Sequence, residues 1–107
     1  IAHLYSLVTR NEVGVDGTTI SKAPDWLAEE AITVEEALRL MTIESAYALF
    51  MEEKIGSLKP GKFADLVVLS DSPLNVNLDS LIDIEVLLTM VGGRVEHCAS
   101  GYQDMCP

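Results

Sequence analysis

The sequence predicts an α+β fold in which helices come first and a small, mostly antiparallel sheet follows. Three observations predict it. A capping box at Thr33-Val34-Glu35-Glu36 opens two successive apolar helical stripes. Two runs rich in Val, Leu and Ile, Phe63–Leu69 and Ile84–Val91, follow later in the chain. Gly92-Gly93 then supplies the pair of positive-φ positions that a two-residue type I′ hairpin requires, with Arg94–His97 returning as a third strand.

The elements follow in chain order. Ile1–Arg10 is mostly apolar, and Leu4, Leu7 and Val8 share one helical face. Asn11–Ser21 contains Gly14, Asp16 and Gly17 and reads as a loop. Pro24 suits the first turn of a short helix over 25–30. Thr33 caps the next helix, with Glu36 reaching back, and Val34, Ala37, Leu38 and Met41 form its stripe. Ile43, Ala46, Tyr47 and Phe50 form an offset stripe, so two helices over 33–41 and 43–52 should meet at a bend near Thr42. Gly56 is the expected terminator. Lys59-Pro60-Gly61-Lys62 suits a type II turn, with Pro60 and Gly61 at its centre. Residues 71–79 are a loop, and residues from Cys98 onward lack periodicity and read as a flexible tail.

The chain has 107 residues, 49% hydrophobic and 22% charged, which suits one globular domain. It is too short for a complete TIM barrel, which takes ~250 residues. Seven basic residues against 17 acidic give a net charge of −10. That field repels phosphate backbones and anionic membrane surfaces, so neither nucleic acid nor membrane is an expected partner. No apolar run approaches a membrane span. The first residue is Ile1 and no signal segment follows, so the chain is expected to begin mid-frame or to have been processed, and to be cytoplasmic. Cys98 and Cys106 are expected as reduced thiols in a loose tail. The alternative is a tail disulfide formed on oxidation, which would staple little.

No catalytic, cofactor-binding or metal-ligating residue is assigned from the residues themselves. Gly56–Phe63 nearly matches a phosphate-binding loop, but Phe63 stands where a magnesium-binding hydroxyl belongs. A helix precedes it and a strand follows, the reverse of the order such a loop needs. His3 lies in the first helix, and His97 and Cys98 alternate across a strand and cannot easily chelate one ion. Glu29, Glu30, Glu35, Glu36, Glu44, Glu52 and Glu53 fall at helix starts and polar faces, as solvated carboxylates do. Asp65 is expected to be a structural acceptor near the turn.

Read together, Thr33–Arg39, Thr42–Leu49, the string Ile55–Leu69 and Val86–Val95 resemble the C-terminal end of the amidohydrolase superfamily. The phrases GSLKPGKFADLVVL and TMVGGRV, with the upstream LVTR, resemble its amidohydrolase-3 branch, over about residues 1–97. The resemblance implies residues 1–54 as terminal barrel helices, 55–97 as the C-terminal share of a flanking β-sandwich, and 98–107 as a tail. It implies a parent that hydrolyses non-peptide C–N bonds of a small molecule with a divalent, zinc-like metal. None of the family's histidine, lysine or aspartate ligands has a counterpart here, so the chain is expected to be catalytically incomplete alone. An alternative is a stand-alone, self-associating structural module. Either way, strands missing their family partners imply a homo-oligomer through exposed edges.

Overall fold

A computed structural model describes residues 1–106. Its chain divides into two compact units that interleave along the sequence. Unit 1 comprises Ile1–Leu38 and Ser72–Ile84, and unit 2 comprises Arg39–Asp71 and Glu85 onward. The architecture is α+β, with short helices and two small antiparallel sheets.

In unit 1, α1 (Ala2–Thr9) buries Leu4, Tyr5 and Val8. These pack with a 3₁₀ segment, Leu78–Asp83, which contributes the fully buried Leu81. Arg10 ends α1 in the left-handed region at φ 62°, and its amide donates to the Ser6 carbonyl. Asn11 follows as a bracket: its side chain donates to the Tyr5 hydroxyl and accepts from the Ala23 amide. Residues 11–21 are not simply a loop. Glu12–Val13 (β1) and Ile20–Ser21 (β2) pair as a two-stranded ribbon. Its tip is tied by Asp16, whose carboxylate accepts from the Thr18 and Thr19 amides and the Thr19 hydroxyl. The strands are too short for periodicity to register, which is why the turn residues alone were legible. Then comes α2 (Asp25–Ala28), with Pro24 just before its first turn.

The capping box forms as read. The Glu36 amide donates to Thr33 Oγ1 at 3.1 Å, and Glu36 Oε1 accepts from the Thr33 amide at 3.2 Å. It opens α3 (Val34–Arg39). The expected break near Thr42 takes another form. Leu40–Glu44 is a π-helical turn, continuing directly into α4 (Ser45–Ala48). A π turn inserts one residue per turn and rotates the apolar stripe without ending the helix, so the stripes are offset within one continuous helix rather than across a bend between two. Ser45 Oγ donates to the Leu40 carbonyl, five residues back, in keeping with that wider spacing.

The helix also stops earlier than 52. Phe50, not Gly56, takes the left-handed position that ends this helix, at φ 60°. The Met51 amide donates to the Ala46 carbonyl and the Phe50 amide to the Tyr47 carbonyl, the two bonds of a Schellman cap.

Unit 2 holds the larger sheet. Its order is β3 (Leu66–Leu69), β4 (Val86–Val91), β5 (Arg94–Cys98), antiparallel throughout. β3 starts three residues later than Phe63, because Phe63 and Asp65 amides bond to Lys54 and Phe63 carbonyls instead of to a strand. Register shifts at Val68/Leu69 and at Thr89/Met90 mark bulges. The first leaves Leu87 without a partner on β3, and both Leu87 and Leu88 are buried, as a bulge that breaks strict alternation allows. Gly92 and Gly93 turn at φ 59° and 82°, as expected for type I′. Among the described residues no helix is long and apolar enough to cross a membrane.

The segment after β5 is ordered more than its composition suggested. A bend at 99–102 and a 3₁₀ turn (Gln103–Met105) bring Cys106 back to Cys98, and the two sulfurs are bonded. The expectation of reduced thiols is therefore corrected, because the turn chemistry of the intervening residues brings both cysteines together. Pro107 lies outside the described residues.

Candidate functional site

Unit 2 contains an open cleft of about 430 Å³. It is lined by Met41, Thr42, Ser45, Ala46 and Leu49 of the π turn and α4 region, by residues 55–58, and by Asp65, Leu66 and Val67 at the start of β3. Its lining is predominantly apolar, and Leu49, Leu58 and Val67 stay 66%, 72% and 54% exposed. Phe50 and Phe63 add further exposed apolar surface to the same unit, at 93% and 54%.

Two features of the sequence string Gly56–Asp65 build this cleft. Gly56 sits at φ 93°, where a Cβ would come within 2.8 Å of the Ala46 Cβ and 3.0 Å of the Ile43 Cα. Only glycine lets the loop approach the π turn so closely. Lys62 then holds the loop from within. Its ammonium donates to the carbonyls of Glu52 and Ile55 and, at 2.7 Å, to Ser57 Oγ. The turn before it is closed by the Lys62 amide on the Lys59 carbonyl at 3.1 Å, with Gly61 at φ 91°, in agreement with the expected type II turn.

This settles what the near-match to a phosphate loop does. Lys62 faces inward onto backbone carbonyls, so its charge satisfies the chain rather than a phosphate. Sequence reading missed the Ser57–Lys62 pair, whose contact is of the kind that activates a serine nucleophile. Here the Lys62 ammonium donates to Ser57 Oγ and to the backbone carbonyls of Glu52 and Ile55, so the pair clasps the loop.

Asp65 behaves as the structural acceptor expected of it. Its Oδ1 accepts from the Gly92 amide at 2.7 Å, while the neighbouring Gly93 amide donates to the Ala64 carbonyl. The β4–β5 turn is thereby fastened to the chain entering β3.

The other sequence candidates stay apart. His3 is exposed on α1 in unit 1. His97 is exposed on β5, with Nε2 3.2 Å from the Val86 carbonyl. Cys98 is bonded to Cys106. Among the described residues no three His, Cys, Asp or Glu side chains gather as metal ligands would. The donor set present therefore does not fit the zinc-like ion that the resemblance implies for a parent protein. Asp16 is the carboxyl whose environment shifts it clearly. Hydrogen bonds from Thr19 and Thr18 stabilise its charged form and hold it well below the usual aspartate range. It anchors a ribbon tip.

The geometry thus defines an open, mostly apolar cleft in unit 2, and comparison with known proteins gives the chain a family. A family model described as amidohydrolase matches residues 2–97. This chain belongs to the amidohydrolase family. It is similar to an N-substituted formamide deformylase of Arthrobacter pascens, 37% identical over 73 residues, covering 68% of this chain and 14% of that protein. A 5'-deoxyadenosine deaminase of Methanobrevibacter smithii is 31% identical, covering 95% of this chain and 26% of that protein. Among solved structures, an amidohydrolase from Thermotoga maritima matches 69% of this chain and 18% of its own, at 28% identity and a TM-score of 0.56. The chain spans from 12% to 26% of the length of the curated relatives it matches.

Proposed function

We propose that this chain is the C-terminal framework segment of a metal-dependent hydrolase that cleaves non-peptide C–N bonds, and that it is catalytically incomplete by itself. The observation that carries this reading is the open apolar cleft beside an edge strand. Leu49, Leu58 and Val67 present to solvent the kind of surface that further chain covers. The residues that shape the cleft, Gly56 and Lys62, fall within the family match. The reading also draws on the relatives: a formamide deformylase and a deoxyadenosine deaminase both carry names describing release across a carbon–nitrogen bond. In this proposal residues 1–54 are terminal barrel helices and 55–97 a share of the β-sandwich. Metal ligands, a zinc-like ion and substrate contacts belong to the parent.

The test is elemental analysis together with turnover. The purified chain, loaded with zinc and passed through a desalting column, is expected to retain no stoichiometric metal and to hydrolyse neither formamides nor aminopurine nucleosides. Retention of about one zinc per chain, or turnover above a blank, overturns the proposal.

A second reading is favoured by the sheet itself. Among the described residues β3 and β5 are its edges, each paired on one side only. In this reading the chain self-associates through its β half as a structural module, as a two-fold dimer.

A further inference from the structure

Cys98 and Cys106 enclose seven residues, and the disulfide between them lies at the end of an edge strand. We propose that this pair is a reversible redox latch that fixes segment 99–106 to the end of β5. The proposal is independent of the catalytic reading above.

Three observations carry it. First, Cys98 is the last residue of β5 and is in register with the buried Leu88, and the Ala99 amide continues the pairing by donating to the Leu87 carbonyl at 2.9 Å. One sulfur is therefore anchored in the sheet. Cys106, by contrast, belongs to a segment whose residues 100–105 are all exposed. The bond joins a sheet residue to an exposed turn. Second, neither cysteine is fully buried, so a small thiol can reach the bond. Partly exposed disulfides are the exchangeable ones, whereas deeply buried ones resist reduction. Third, the Tyr102 carbonyl faces both sulfurs, 3.3 Å from Cys98 Sγ and 3.8 Å from Cys106 Sγ. Once reduced, each S–H finds an acceptor already in place. Backbone bonds from Tyr102 to Ala99, from Met105 to Tyr102 and from Cys106 to Gln103 also span the bend. The dithiol form is thereby kept near the geometry from which the bond re-forms.

The exchange partner is a small cellular thiol of the glutathione type. Its thiolate attacks one protein sulfur and the S–S bond breaks, giving a mixed disulfide and a cysteine thiolate that takes up a proton. A second glutathione thiolate attacks the mixed disulfide and releases oxidised glutathione and the second cysteine thiol. The protein disulfide has gained two electrons and two protons, and two glutathione thiols have been oxidised to one disulfide.

The experiment equilibrates the chain across a graded series of reduced to oxidised glutathione, traps free thiols by alkylation, and reads intact mass and amide exchange. A transition from two alkylated thiols to none, lying within the series, is expected. On reduction, amides of Ala99, Met105 and Cys106 should exchange about tenfold faster while the hairpin amides of Thr89–Arg94 hold their rates. Cys106→Ser and Cys98→Ser should each show the fast exchange without reductant. The proposal is overturned by a pair that stays disulfide, or stays dithiol, across the whole series. A disulfide formed between chains, or exchange in either variant matching that of the oxidised wild type, overturns it equally.

Discussion

Lys62 donates within its own loop to the Glu52 carbonyl and Ser57 Oγ, with the Ile55 carbonyl farther off at 3.5 Å. Replacing it with methionine keeps most of the stem but strands those acceptors. Lys62→Met is expected to destabilise the protein by about 1–3 kcal/mol, read from the midpoint of urea unfolding. Phe50 gives the opposite expectation. It holds the left-handed C′ position that glycine holds at lowest cost, and its ring is 93% exposed, so little packing is lost on removing it. Phe50→Gly should therefore stabilise the isolated chain by about 0.5–1 kcal/mol, seen as a raised Tm. A fall in Tm would mean that this ring is covered in solution, by another copy or another partner. Gly56 owes its identity to space as well as to φ, since Ala46 and Ile43 leave no room for a methyl group.

At the scale of elements, the β4–β5 hairpin is set by Gly92 and Gly93 and then fastened by Asp65. Nothing lies within 4 Å of a Cβ built on Gly93, so a substitution there tests backbone strain without a clash. Gly93→Val is expected to cost about 1–2 kcal/mol, and Gly93→Asn clearly less, because asparagine tolerates the left-handed region. Equal melting of both variants with wild type would reject the type I′ assignment. The β1–β2 ribbon carries a pH dependence of known sign. Its tip is held by the charged form of Asp16, whose folded pKa lies below the unfolded value. That contribution is present at neutral pH and is lost as pH falls through the folded pKa. Amide exchange at Thr18 and Thr19 should accelerate in strong acid ahead of exchange in the α1 helix, and Asp16→Asn should weaken that dependence.

For the whole molecule, the outstanding quantity is what covers the apolar surface of unit 2. Edge strands and exposed side chains such as Leu58 and Val67 are the kind of surface on which further chain docks. The charge of −10 opposes association but is screened at ordinary salt. Light scattering over a concentration series should give a dimer mass in the high micromolar range. A monomer mass throughout would reject self-association and leave the framework reading standing.

The sequence by itself determined that the helices over 33–48 precede the three-stranded sheet, though not the β1–β2 ribbon among the earlier elements. It also determined the capping box, the two glycine turns at 61 and 92–93, and the family, because each rests on local residue chemistry at fixed spacing. Thr33 and Glu36 are three residues apart wherever the chain goes, and their reciprocal bonds follow. What it left open were features that depend on distant residues meeting. Gly56 looked like a helix terminator, yet its small size is required by Ala46, ten residues back. Lys62 looked like half of a phosphate motif, and only the folded loop shows its protons spent on carbonyls at 52 and 55. The stripes before and after Thr42 were legible as an offset but not as a π turn, since a rotated stripe has the same pattern whether a helix breaks or widens. Composition could not decide whether Cys98 and Cys106 pair, because pairing depends on the bend at 99–105 that brings one sulfur to the other.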